Sequence, residues 1–340
     1  RYIETPLRRG NWFGKRWKTF IVGGGLIFTL SGVLIALDIP LKGQLYIGKK
    51  INHGRPNFLR GDECLENVSK NTRCFLIENI SKRTLWMLGD SQTQMLALAG
   101  EKVANSFEIN LKLYSILATP FPSFNHYKKF KGYNKNIGFI DDLKLLEKEL
   151  YKKIKVGDII LLTLYNPGHF GGEYIRTSYS FISKDGSIIS QEDYFNAWIS
   201  SVANLASFAE KEGAKVIIQT PTPEWSLWYQ KKNTICSSTA IQWFNRTQKG
   251  DCQIISEYFV DKKTGVYNHQ FEKLNKLSTS HSNIYLFDTY KITCPQKTCY
   301  YSMDGIDIYA DDAHLSYIWA RDFLAPEISK FINEIQTMDK

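Results

Sequence analysis

No two of the six cysteines are spaced Cys-x-x-Cys, and no histidine stands at ligand distance from any of them in sequence. That pattern argues against a structural zinc site and for disulfides. Histidine is scarce, with six in 340 residues, so one that follows two carboxylates in a loop stands out. Zinc-finger, RNA-recognition and helix-turn-helix signatures are missing. The basic residues behind the net charge of +9 are scattered rather than gathered in one stripe. These absences exclude the usual forms of nucleic-acid recognition. A basic surface suits an anionic envelope or a phosphate-bearing glycan equally well. Apolar residues make up 43% of the chain, enough for a large core, yet only one long uncharged hydrophobic run occurs.

That run covers residues 20–37, FIVGGGLIFTLSGVLIAL, and nearly spans a bilayer core. Trp12 and Trp17 precede it, where aromatic anchors sit at a membrane interface. A buried helix is the poorer account, because no other segment could wrap it on all sides. A signal peptide is poorer too, because Ala36-Leu37-Asp38 makes a weak cleavage site. Arg1, Arg8, Arg9, Lys15, Arg16 and Lys18 crowd its N-terminal side, against Lys42, Lys49 and Lys50 beyond it. The charge asymmetry expects the N-terminal side in the cytoplasm and the rest of the chain outside the cytoplasmic membrane. All six cysteines follow the run. Short separations suggest local bridges Cys64 to Cys74, Cys236 to Cys252 and Cys294 to Cys299, as an oxidising compartment permits, although other pairings are open. The chain begins on Arg1, and RYIETPLRRG reads as the interior of something longer.

The expected organisation is a cytoplasmic end over residues 1–18, a transmembrane helix over 19–38, a periplasmic linker or extension over 39–82, and a catalytic domain over 83–340. The linker is rich in Gly, Asn, Lys and Pro and has weak periodicity. From Arg83 onward, apolar strands alternate with amphipathic helices. Strands are expected at 84–88, 108–117, 158–164, 215–219 and 283–287, with helices after Ser91 and over 140–154, 191–212 and 315–335. Such alternation argues for a parallel sheet with helices on both faces, a three-layer α/β/α architecture. Chemistry in these sheets gathers at the C-terminal ends of the strands.

The first strand ends in Gly89-Asp90-Ser91 at a turn into a helix. A serine there is exposed at the sheet's edge, and its own N–H can face a developing oxyanion. Helix capping by Asp90 or Ser91 is the commoner use of such residues. Near the other end stands Asp311-Asp312-Ala313-His314-Leu315-Ser316. His314 would take the proton of Ser91, and Asp311, three residues earlier, would orient the imidazole, with Asp312 the competing orienter. The strand at 158–164 runs into Tyr165-Asn166-Pro167-Gly168-His169. Asn166 is a candidate oxyanion donor beside the Ser91 amide, in what is also ordinary turn material. After the strand at 215–219, Trp225, Trp228 and Tyr229 offer aromatic faces for a sugar ring, or plug a long loop. The basic stretch at 126–136, HYKKFKGYNKN, could meet an anionic glycan but reads better as a solvated charged loop.

These blocks resemble the SGNH (GDSL-like) hydrolase superfamily over residues 83–335. Gly89-Asp90-Ser91 matches the nucleophile block, and the Asp-x-x-His block matches Asp311 to His314. Two departures stand out. The family's Gly-x-Asn-Asp is replaced by Leu164-Tyr165-Asn166-Pro167, and Ala118-Thr119-Pro120 follows the second strand where an oxyanion glycine is expected. RYIETPLRR is similar to the end of the acyltransferase-3 membrane domain. The whole order therefore resembles fused acyltransferase-3/SGNH proteins, which O-acetylate lipopolysaccharide, lipooligosaccharide or peptidoglycan sugars.

The resemblance implies a serine-dependent O-acyltransferase of the bacterial inner membrane, with its catalytic domain in the periplasm and an acyl-serine intermediate. Its partners would be a preceding acyltransferase-3 domain, the membrane and a glycan acceptor, with no nucleic acid. No metal or bound cofactor is implied, and the acyl group, acetyl, would come ultimately from acetyl-CoA. The alternatives are a carbohydrate esterase or deacetylase with the same triad and a non-catalytic glycan-binding domain.

Overall fold

The computed structural model describes residues 16–41, 56–124, 126–130, 136–137, 140–164, 169–170, 179–223, 253–255, 267–303, 306–310 and 314–338. The chain divides into two compact units, Arg1–Ile51 and Asn52–Lys340.

In the first unit, α1 (Arg16–Leu41, 26 residues) covers the apolar run. Ile21, Leu26, Ile27, Phe28 and Leu30 are all exposed on it. A helix that is apolar all round needs an apolar surround. The side chains described there stop at Val33, and among the described residues no helix is long and apolar enough to cross a membrane.

The second unit carries, in chain order, β1 (Leu59–Arg60), β2 (Thr72–Ile77), β3 (Thr84–Gly89), α2 (Ser91–Met95), α3 (Ala97–Ser106), β4 (Asn110–Ile116), β5 (Tyr127–Phe130) and β6 (Asn136–Ile137). Then come α4 (Ile140–Lys153), β7 (Ile159–Thr163), β8 (Tyr179–Ile182), β9 (Ile188–Ile189), α5 (Gln191–Lys211), β10 (Lys215–Gln219), β11 (Gln253–Ile255), α6 (Tyr267–Ser280) and β12 (Ile284–Phe287). The chain closes with α7 (Thr289–Thr293), β13 (Thr298–Tyr300), β14 (Ser302–Met303), β15 (Ile306–Asp307), α8 (Tyr317–Trp319), a π-helical turn (Ala320–Leu324) and α9 (Ala325–Thr337).

The main sheet has seven strands in the order β1-β2-β4-β3-β7-β10-β12. Pairs from β4 through β12 are parallel, whereas β2 pairs antiparallel with both β1 and β4. The sheet is therefore mixed but mostly parallel, and the expected parallel sheet is corrected only at this edge. The stretch read as an extended linker supplies those two strands. Its composition hid them, because β2 is too partly exposed to show a clean apolar period. The Cys64–Cys74 disulfide fastens the loop between them, and Cys294–Cys299 ties the end of α7 to β13. Cys236 and Cys252 lie outside the described residues. Residues 127–130 and 136–137, read as a solvated loop, form strands of a separate four-stranded sheet, β6-β5-β8-β9.

Alternation along the central strands builds two cores, one on each face. Leu85, Met87, Leu111, Leu113, Ile159, Leu161 and Ile217 face one side, where α3 and α9 cover them through Val103, Ile328 and Ile332. Trp86, Leu88, Tyr114, Ile116, Ile160, Leu162, Val216 and Ile218 face the other. There α4 presents Leu143, Leu146 and Leu150, and α5 presents Trp198, Val202 and Leu205, both at helical spacing. The three layers expected from the sequence are present.

Candidate active site

Gly89 ends β3, in register with Ser115 of β4 on one side and Thr163 of β7 on the other. A Cβ on Gly89 would lie 1.9 Å from the Thr163 carbonyl oxygen, so only glycine lets the strand pass this close before it turns. Asp90 then caps α2, its Oδ1 accepting the Gln92 N–H at 2.8 Å. Ser91 is the first residue of that helix. Its N–H has no acceptor among the described residues, as an oxyanion donor requires.

A buried polar network holds the turn from below. Thr93 Oγ1 donates to the Thr163 carbonyl at 2.9 Å, tying α2 to β7. Ser115 Oγ donates to the Asp90 carbonyl at 2.8 Å and accepts from Gln94 Nε2 at 2.7 Å. Arg73 of β2 donates to Gln94 Oε1 at 2.8 Å. Asp90, Thr93, Gln94 and Ser115 are all buried. The antiparallel edge absent from the sequence reading thus reaches the turn that carries Ser91 through Arg73.

His314 arrives from the far end of the chain, 223 residues away, with Nε2 2.8 Å from Ser91 Oγ. The residues on either side of it are pinned together. The Ala310 N–H donates to the His314 carbonyl at 2.7 Å, the Ser316 N–H donates to the Ile308 carbonyl at 2.7 Å, and Tyr309 bridges Leu315. Leu315 is fully buried, and Ser316 caps α8 through the Trp319 N–H. With Nε2 accepting the serine O–H, the pair has the geometry of a nucleophile and its general base.

The other residues named from sequence are Asp311, Asp312, Asn166, Trp225, Trp228 and Tyr229. All lie outside the described residues. Ala118, standing where an oxyanion glycine was expected, has φ +53°, a backbone conformation that favours glycine. Sequence reasoning passed over His169. It is buried, with Nε2 2.6 Å from Asp90 Oδ2. Its one sequence signal was its place just past β7, at the sheet end where chemistry gathers, and attention there went to Asn166.

A serine at a strand-to-helix turn, paired with a histidine from a loop before the last helix, at the C-terminal ends of parallel strands, defines an SGNH-type α/β fold. The chain belongs to the family described as "SGNH domain (fused to AT3 domains)", whose model matches residues 60–330. Solved structures similar to it include the periplasmic domain of the lipopolysaccharide acetyltransferase of Salmonella ser. Paratyphi A. That match has 14% identity over 76% of this chain and 85% of that one, at TM-score 0.45. A candidate SGNH hydrolase from Slackia heliotrinireducens is 13% identical over 73% of this chain and 97% of its own, at TM-score 0.38. A candidate acylhydrolase from Bacteroides fragilis is 12% identical over 76% and 89%, at TM-score 0.35. No curated protein matches.

Proposed function

We propose that the chain is an O-acyltransferase that moves an acyl group, acetyl, onto a hydroxyl of a bacterial surface glycan through an acyl-Ser91 intermediate. The observation that carries this reading is the 2.8 Å contact between Ser91 Oγ and His314 Nε2, in a family described as fused to AT3 domains. His314 takes the serine proton as Oγ attacks the acyl carbonyl carbon. The Ser91 N–H, with Asn166 as second donor, holds the oxyanion. The tetrahedral species collapses, the leaving group departs with the proton from His314, and the acyl ester remains on Ser91. A sugar hydroxyl then gives its proton to His314, attacks the ester and leaves acylated, while Oγ regains the proton. Asp311 orients the imidazole and stabilises its charged form. Trp225, Trp228 and Tyr229 are the proposed sugar platform.

The membrane setting supports transfer over hydrolysis. The apolar, exposed α1 behind a basic N-terminal stretch suits an anchor with the SGNH domain outside the cytoplasmic membrane. The two described disulfides suit an oxidising compartment. An acyltransferase-3 partner would deliver acyl groups drawn from acetyl-CoA. No cofactor is needed for either half-reaction.

The test exposes the 340-residue chain in detergent to p-nitrophenyl acetate, followed by mass spectrometry of the Ser91 peptide. One acetyl group on Ser91, absent in His314→Ala, is expected, with turnover in Ser91→Ala down by about 10³-fold or more. An unacetylated Ser91 together with no turnover would sink the proposal and favour a glycan-binding domain. Release of free acetate in the presence of excess glycan, with no acetylated glycan formed, would make the chain an esterase.

A further inference from the structure

Among the described residues, one histidine–carboxylate contact has both side chains buried: His169 with Asp90, at 3% and 2% exposure. It lies one residue before the nucleophile and takes no part in the proton transfers described above. Every polar atom of Asp90 beyond its own N–H is committed to shaping the turn. Oδ1 accepts the Gln92 N–H, Oδ2 meets His169 Nε2 at 2.6 Å, and the main-chain oxygen accepts Ser115 Oγ and the Thr93 N–H.

His169 is itself held from behind. Phe170, its neighbour, is buried in the second core, with ring centroids 4.8 Å from Phe195, 4.8 Å from Trp198 and 5.9 Å from Tyr194. The segment just past β7 is thereby plugged into the aromatic core, and the imidazole is presented to Asp90 from a fixed base.

The placement of the carboxylate matters for acyl transfer. Asp90 directly precedes the Ser91 N–H, which faces the developing oxyanion. A buried carboxylate with an unbonded oxygen there would swing toward other donors and would oppose the new negative charge. We infer that His169 is a positioning residue for catalysis: by holding Asp90 Oδ2 it fixes the Ser91 Oγ and N–H. This role rests on the proposed nucleophile and extends it. It also explains why a buried histidine is found in a chain with so few.

Steady-state hydrolysis of p-nitrophenyl acetate by the full chain, with a fluorophosphonate probe to label Ser91, tests the inference. His169→Leu fills the space without a donor. Its kcat is expected to fall about 30-fold or more with KM changed less than about twofold, and Ser91 labelling should slow in parallel. His169→Gln keeps an N–H near Nε2 and should recover kcat to within about fivefold of the parent. A purely packing role would instead favour leucine over glutamine. Asp90→Asn keeps the cap through Oδ1 but sets an amide NH2 where Oδ2 met His169 Nε2, so it should lose kcat in the same way, and it decides the matter if His169→Leu does not fold. Unchanged kcat and labelling in the folded variants, with Ser91 still labelled in the parent, would overturn the positioning role and leave the nucleophile standing. Failure to label Ser91 in the parent would remove both.

Discussion

Asp90 and Asp158 sit at opposite ends of the same pair of strands. Asp90 follows the last residue of β3, and Asp158 precedes the first residue of β7. Both are buried, at 1% and 0% exposure. Asp158 accepts the Thr84 N–H at 2.8 Å, the Trp86 Nε1–H at 3.0 Å and the Lys155 N–H at 3.2 Å, so it staples β3 to β7. Asp90 accepts the Gln92 N–H and meets an ionisable partner, His169, beside a serine. Equal burial thus serves different ends. At the N-terminal edge Asp158 closes the strands off; at the C-terminal edge Asp90 shapes the turn that leads into the helix of Ser91.

The largest expected break of this contrast is Gly89→Ala. Its Cβ would meet the Thr163 carbonyl at 1.9 Å and Thr93 Oγ1 at 2.6 Å. Stability should fall by more than about 3 kcal/mol, and any folded fraction should lose activity, because the strand and the nucleophile turn must move apart. Urea melts and esterase assays on the same preparation check both.

Asp158→Ala should come next, costing on the order of 3 kcal/mol by orphaning three N–H donors, with kcat per folded molecule unchanged. A matching loss of kcat would erase the distinction between the two ends.

Asp158 also predicts a pH dependence. Burial pushes its carboxyl above the usual range, against the pull of the Trp86, Thr84 and Lys155 hydrogen bonds. A raised folded-state value means that its contribution to stability is full below the unfolded carboxylate value and is lost as pH rises through the raised one. Melting temperatures of Asp158→Asn across mildly acid to neutral pH should therefore show a shallower fall with rising pH than the parent. Glu147, also raised by burial, keeps its own share of that slope in both proteins.

The smallest effect compares two strained residues flanking β4. Glu108 and Ala118 both have φ +53°, before and after the strand. Replacing either with glycine relieves the left-handed strain at some cost in unfolded-chain entropy, a net gain of about 0.5 kcal/mol. Equal gains measured by thermal melting, with kcat altered only by Ala118→Gly, would place the functional edge where Asp90 lies.

Local sequence determined a good deal. The short continuous apolar runs marked β3, β7, β10 and β12 to within a residue or two, because strands buried on both faces are apolar throughout. Gly89-Asp90-Ser91 and the His314 loop were legible as a candidate site, because the proposed nucleophile and base each sit in a short motif after a strand. The antiparallel edge was not legible, since β2 is half exposed and lies in a polar stretch that composition made look like a linker. The helix after Ser91, read as continuous, breaks at Leu96 between α2 and α3.

What tertiary structure alone decided is which distant side chains meet. Ser91 and His314, 223 residues apart, come within 2.8 Å. Asp90 and His169 are 79 apart, and Asp158 and Trp86 are 72 apart. Sequence patterns report the period of burial along each element. Contacts between elements depend on strand order and register, which are fixed by how two cores pack against one sheet, and no single segment carries that information.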